Sequence, residues 1–134
     1  MEKITYCLYA RKSSESDERQ ALSIGSQIAE MQKIADKQDL KVVETIQESK
    51  SAKDSGGRIG YQNLLTGLQE RRFNAILTWA PDRLSRNAGD LGKLVDLMDQ
   101  GVLIQIQTSG QTFTNTPDEK FLLMILCSQA KLEN

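Results

Sequence analysis

The stretch Ile4-Thr5-Tyr6-Cys7-Leu8-Tyr9-Ala10-Arg11-Lys12-Ser13 decides how the rest of the chain is read. Its first half, Ile4 to Leu8, is apolar and β-prone and predicts the first buried strand of a sheet. Its second half sets the Ser13 hydroxyl at that strand's end, with Arg11 and Lys12 beside it. Guanidinium matches phosphate oxygens in charge and in its forked geometry, so these neighbours suit a phosphodiester partner better than an acyl carbonyl. The same residues also serve, with no chemistry at all, as the polar closure of a strand. A second cluster further along tips the balance.

Working outward, Ser14 to Gln20 is polar, acidic and aperiodic, which predicts a loop running into a helix. From Ala21 the apolar residues Ile24, Ile28, Met31, Ile34 and Ala35 recur at helical spacing to about Lys37, with Gly25 as a local weakness. Lys41 to Ile46 predicts a second strand, and Gln47 to Gly57, rich in Ser, Lys, Asp and Gly, a long loop. Arg58 to Arg71 carries Ile59, Leu64, Leu65 and Leu68 in helical register. Phe73 to Ala80 reads as a central strand stopped by Pro81. The helix Ala88 to Asp99 ends at Gly101, and Val102 to Gln107 predicts a fourth strand. A Thr/Ser/Asn/Gly-rich loop follows to Thr116, and Pro117-Asp118-Glu119 opens a last helix with a wide apolar face.

Strands alternating with helices predict a three-layer α/β fold, a mainly parallel sheet with helices on both faces. In the common doubly wound order 2-1-3-4, strands one and three flank the point where strand order reverses, and ligands bind outside the carboxyl ends of strands there. Ser13 follows strand one; Asp82, Arg83 and Arg86 follow strand three. The two clusters are therefore expected to face each other across one crevice, with Arg58 reaching in from the start of the second helix. Arginines there neutralise charge building on phosphoryl oxygens, which serine needs in order to attack a phosphodiester. Asp82 either handles a proton or holds Arg83 or Arg86 in place.

Composition narrows the chemistry. At 134 residues the chain fits one domain, and with no histidine it lacks the Ser-His-Asp and Cys-His nucleophile systems and any histidine-based zinc site. The net charge of −1 opposes a free-standing, non-specific nucleic-acid binder. No apolar run reaches membrane-spanning length, so a soluble, cytoplasmic protein without membrane contact is expected. Cys7 and Cys127 lie in apolar segments and read as buried thiols. A two-metal nuclease is disfavoured, because the crevice offers one clear carboxylate and Glu15, Asp17 and Glu18 read as a solvated loop. Trp79 reads as core, Arg71-Arg72 as cations at a helix end, and Tyr9 either as sheet packing or as part of the site.

With both clusters in view, the chain resembles the catalytic domain of the serine recombinases, the resolvase/invertase and large serine integrase family, over essentially its whole length. Tyr9, Arg11 and Ser13 match the family's Tyr-x-Arg-x-Ser motif; Asp82, Arg83, Leu84 and Arg86 match Asp-Arg-Leu-x-Arg. Ser23 to Gln27 looks like the Ser-x-x-x-Gln element, which carries over Gln27 as an active-site amide. Arg58-Ile59-Gly60-Tyr61 resembles the Arg-Pro-Gly-Tyr turn, with Ile59 replacing the frequent proline. The resemblance implies that Ser13 attacks a DNA phosphodiester and forms a 5′-phosphoserine with release of a 3′-hydroxyl, using neither metal nor cofactor. It further implies double-stranded DNA at a specific recombination site as partner, a homodimer that becomes a tetramer in the synaptic complex, and strand exchange followed by rejoining. By the same analogy residues 1–134 are a catalytic domain cut off at the start of a long dimerisation helix, with DNA-recognition domains lying elsewhere. The long spacing from Ser13 to Gln27 and the loop from Glu48 to Gly57 look more like the large recombinases of phages and mobile elements than the compact resolvases.

The competing reading is a non-catalytic, DNA-associated regulatory domain on the same fold, which a degenerate site would favour; Arg11, Ser13, Arg58, Asp82, Arg83 and Arg86 are all present. A nucleotide-binding α/β domain is the other alternative, and no glycine-rich phosphate loop supports it.

Overall fold

A computed structural model describes residues 3–11, 23–48, 59–81, 84 and 88–132, with residues 127–132 described by backbone alone. The elements run β1 (Tyr6–Arg11), α1 (Ile24–Gln38), β2 (Val42–Glu48), α2 (Ile59–Gln69), β3 (Ala75–Thr78), α3 (Ala88–Asp99), β4 (Gln105–Gln107), β5 (Thr112–Thr114) and α4 (Pro117–Leu132). The sheet order is β2-β1-β3-β4-β5; β1 pairs in parallel with β2 and β3, β3 with β4, and β5 closes the edge antiparallel to β4. The expected parallel order 2-1-3-4 is thus the one the chain adopts, with one strand added.

Alternation along β1 assigns the two faces. Tyr6, Leu8 and Ala10 share a buried cluster with Met31 and Ala35 of α1 and with Ala75 and Leu77 of β3. Cys7 and Tyr9 point the other way, into a larger cluster with Tyr61, Leu64 and Leu68 of α2, Leu94 and Met98 of α3, and Leu123 of α4. One helix therefore covers one face and three cover the other, and β1 and β3, buried throughout, form the centre.

The boundaries differ from expectation for identifiable reasons. β1 begins at Tyr6 rather than Ile4, because the Thr5 carbonyl is taken by the Asn74 and Ala75 amides, 3.0 Å from each. It runs on through Arg11, pairing Tyr9 with Ile46 and Arg11 with Glu48, so β2 also extends past Ile46 to Glu48. A register shift between Tyr6 and Cys7 brings Glu48 level with Arg11. β4 starts at Gln105, not Val102: after Gly101, with φ of 76°, the amides of Val102 and Leu103 both turn back to the Leu97 carbonyl and close α3. β5 falls where a loop was expected; it is short and polar, and Phe113 is its one wholly buried side chain. α2 stops at Gln69, and Arg71 adopts the left-handed conformation while Arg72 pairs with Glu44 and Glu70. Cys7 is fully buried, and desolvation with the nearby Glu44 charge pushes its thiol up to about 12. Trp79 packs half-buried against the α1-side cluster. Among the described residues no helix is long and apolar enough to cross a membrane.

Candidate active site

The carboxyl ends of the parallel strands gather along one edge: Arg11 closes β1, Glu48 closes β2 and Thr78 closes β3. β1 and β3 are the pair at which strand order reverses, so Arg11 stands at the expected crevice. It is only 5% exposed, like Glu48 opposite it, and both lie on the Tyr9 face of the sheet. Thr78 donates its hydroxyl to the Tyr9 carbonyl at 2.8 Å and so pins β3 to β1 close to their ends. Beyond Thr78, the Trp79 carbonyl accepts from both the Ser109 amide at 3.2 Å and the Ser109 hydroxyl at 3.0 Å; the β4–β5 turn thereby clasps the exit of β3.

Gln27 reaches this edge from the opposite face. Ser23 caps α1, its hydroxyl accepting from the Ser26 amide at 3.1 Å, and this sets Gln27 in the first turns of the helix. The buried Gln27 amide nitrogen then donates to the Arg11 carbonyl at 3.1 Å. Gln27, carried over by the resemblance to the Ser-x-x-x-Gln element, thus contacts the last residue of β1.

Tyr9 faces inward rather than toward the rim. It is 1% exposed, its ring meets Tyr61 edge to face at a centroid distance of 6.4 Å, and its hydroxyl donates to Glu48 Oε1 at 2.8 Å. The Glu48 carboxylate also accepts from the Tyr61 amide at 3.0 Å on the same oxygen and from the Gly60 amide at 2.7 Å on the other. A carboxylate can take several donors at once, and here it fills the exposed amides at the start of α2. Glu48 escaped the sequence reading because Gln47 to Gly57 looked like loop. The available signal was α2 itself, which begins after Arg58 without a Ser, Thr, Asp or Asn to cap it.

Of the residues expected at the site, Tyr9, Arg11 and Gln27 are described, and the structure gathers them at the end of β1. Ser13, Arg58, Asp82, Arg83 and Arg86 lie outside the described residues, as do Lys12, Glu15, Asp17 and Glu18. Their neighbours are informative. Leu84, between Arg83 and Arg86 in sequence, is 1% exposed and belongs to the same hydrophobic cluster as Tyr9 and Tyr61, and its amide donates to the Pro81 carbonyl at 3.0 Å. Leu84 is therefore packed on the face of the sheet on which Arg11 lies. Among the described residues no three acidic, cysteine or histidine side chains converge as a metal site would require.

The family model described as "Resolvase, N terminal domain" matches residues 6–134. The fold superposes on the N-terminal catalytic domain of TP901-1 integrase with a TM-score of 0.70 at 21% identity, covering 96% of this chain and 95% of that one. A resolvase family site-specific recombinase from Streptococcus pneumoniae gives 0.68 at 22% identity, over 98% and 88% of the two chains. The C-terminal catalytic domain of ISC1926 TnpA, an IS607-like serine recombinase, gives 0.62 at 24% identity, over 79% and 70%. At these identities the structural likeness speaks for the fold. No curated protein sequence matches the chain.

Proposed function

This chain belongs to the resolvase family, as a serine recombinase catalytic domain that cleaves and rejoins DNA, and from that premise we propose that the Ser13 hydroxyl is its nucleophile. Ser13 Oγ attacks a backbone phosphorus; the bond to the 3′-oxygen breaks, that oxygen leaves as a 3′-hydroxyl with the proton, and a 5′-phosphoserine remains. Rejoining is the reverse attack by a 3′-hydroxyl, so the ester energy is conserved and no nucleotide cofactor or metal enters. Arg11, Arg58, Arg83 and Arg86 neutralise the charge on the non-bridging oxygens, Asp82 holds an arginine of its own motif or relays the proton, and Gln27 steadies the strand that leads to Ser13. Tyr9 belongs to the site as support behind Arg11.

The observation that carries this reading is the buried Arg11 at the end of β1, gripped through its carbonyl by Gln27, two residues before Ser13 at the reversal of strand order. The substrate is double-stranded DNA at a specific recombination site, in the cytoplasm of a prokaryotic host or a phage or mobile element within it. The working unit is a homodimer that doubles to a tetramer on synapsis. A net charge of −1 over 134 residues supports leaving site choice to recognition domains outside them.

A covalent trap tests the reading. The full chain is carried on a DNA-binding module of known site and mixed with a nicked duplex holding two inverted copies of that site around a randomised spacer; adducts are mapped by peptide mass spectrometry. A phosphodiester on Ser13, lost in Ser13→Ala, is the expected result. No adduct at any residue, with binding confirmed in the same sample, overturns it in favour of a regulatory domain.

A further inference from the structure

We propose that Ser109 is a positioning residue for strand cleavage: from the β4–β5 turn its amide and its hydroxyl both hold the Trp79 carbonyl, and so fix the point from which the chain leaves β3 toward Asp82, Arg83 and Arg86. The inference rests on the reading of Ser13 as nucleophile and of Arg83 and Arg86 as ligands of the phosphate.

The contact continues the sheet past its last rung. The β3–β4 ladder ends where Leu77 faces Gln107, and Trp79 and Ser109 stand two residues further on along each strand. There the Trp79 carbonyl takes two donors from one residue, the amide at 3.2 Å and the hydroxyl at 3.0 Å. The exit of β3 is thus held on both flanks, since Thr78 donates to the Tyr9 carbonyl on the β1 side. Two residues after Trp79 comes Pro81, which has no N–H of its own to be held by. Its carbonyl accepts from the amide of the buried Leu84 at 3.0 Å. Asp82 and Arg83 lie in sequence between these two attachments, so a shift at Trp79 is passed on to them.

The turn that carries Ser109 is built to stay in place. Ile106 and Phe113, paired across the hairpin and wholly buried, fasten its two strands into the core. The buried Gln107 donates through Nε2 to the Thr108 carbonyl at 2.9 Å and to the Gln111 carbonyl at 3.2 Å, while its Oε1 accepts from the Thr112 hydroxyl at 2.6 Å. The Thr108 amide donates to the Gln111 carbonyl at 2.8 Å, and the Thr108 hydroxyl accepts from the Gln111 amide at 3.0 Å. None of these bonds uses Ser109, so the turn closes without it. The Ser109 hydroxyl is instead turned outward, onto the backbone of another strand. A neutral hydrogen bond at an exposed position adds little net stability, because water replaces either partner. What the hydroxyl contributes is the geometry of the exit from β3, at the edge where strand order reverses.

The test uses single-turnover cleavage of the nicked probe duplex by the module-linked full chain. Ser109→Ala removes the hydroxyl and keeps the amide; Ser109→Thr keeps both. A variant that merely folds less well yields less adduct, at the wild-type rate constant. Loss of positioning lowers the rate constant at saturating DNA, with the half-saturating DNA concentration unchanged. Ser109→Ala is expected to slow adduct formation roughly fivefold or more, the worth of one hydrogen bond expressed as a rate, and Ser109→Thr to restore it. A wild-type rate constant in Ser109→Ala overturns the proposal, as does Ser109→Thr as slow as Ser109→Ala. Should Ser109→Ala fail to fold, Ser109→Cys, whose S–H is a weak donor, is read in the same way. A wild-type protein that forms no adduct overturns instead the assignment of Ser13, and a wild-type rate constant in Arg83→Ala overturns that of the second cluster.

Discussion

Tyr9 and Glu48 stand diagonally across neighbouring parallel strands, and the phenolic hydroxyl of one donates to the carboxylate of the other over 2.8 Å inside the protein. Removing the acceptor strands more than one donor, since the Gly60 and Tyr61 amides share it. Glu48→Ala is therefore expected to destabilise the fold by about 2–3 kcal/mol, against about 1 kcal/mol for Tyr9→Phe, which leaves both amide contacts intact. Urea unfolding measures the difference as a shift in midpoint at constant slope.

Gly67 and Gly92 form an opposed pair. A Cβ at Gly67 would collide with Cζ of Phe73, a ring 1% exposed in the core, whereas a Cβ at the exposed Gly92 meets nothing within 4 Å. Gly67→Ala is expected to destabilise by about 1–3 kcal/mol through overpacking. Gly92→Ala is expected to stabilise α3 by up to about 1 kcal/mol through helix propensity. Melting temperatures moving in opposite directions are the expected result.

The start of α4 carries a pH dependence. Glu119 accepts from the Thr114 and Thr116 hydroxyls, and those bonds hold its carboxyl below the ordinary glutamate value; its own amide donates to Thr116 Oγ1 at 3.2 Å, completing a reciprocal cap. With the folded value lowered, the unfolded chain binds the proton first as pH falls. The contribution of the Glu119 carboxylate is full above the unfolded glutamate value and is lost as pH drops through the lowered one, while the bond from its amide to Thr116 remains. Thr116→Ala is expected to destabilise by about 1 kcal/mol at neutral pH and progressively less in acid. Urea midpoints of both proteins across pH 3–7 check it.

Cys7 should resist thiol reagents. It is 0% exposed and its thiol is pushed up to about 12, which leaves scarcely any thiolate at neutral pH. Peptide mapping after iodoacetamide treatment is expected to show Cys7 unmodified in the native protein and fully alkylated in urea.

Much of this molecule is legible in its sequence because the signals are periodic. Helical spacing located α1 and α3 to within a few residues, and short β-prone runs located β1, β2 and β3, from which the strand order follows. Short polar elements gave no such signal: Thr112–Thr114 has a single buried apolar residue, and its pairing depends on β4 rather than on its own composition. At the site, Arg11 and Gln27 were legible because their motifs are local in sequence. Glu48 was not, because its role depends on Tyr9 and Gly60, which come near it only through the parallel β1–β2 ladder and the return of α2.

The hold on Arg11 limits how the reaction can be set up. Its carbonyl is moored to α1 by Gln27, while its strand is tied on the other face through Tyr9 and Glu48. Ser13 is two residues further on, and two residues of fully extended chain span about 7 Å. On the proposed reading Ser13 is the nucleophile, and so short a tether leaves it no reach to a distant phosphate: the DNA would have to be carried to the rim of the sheet, and the timing of cleavage would pass to whatever brings it there.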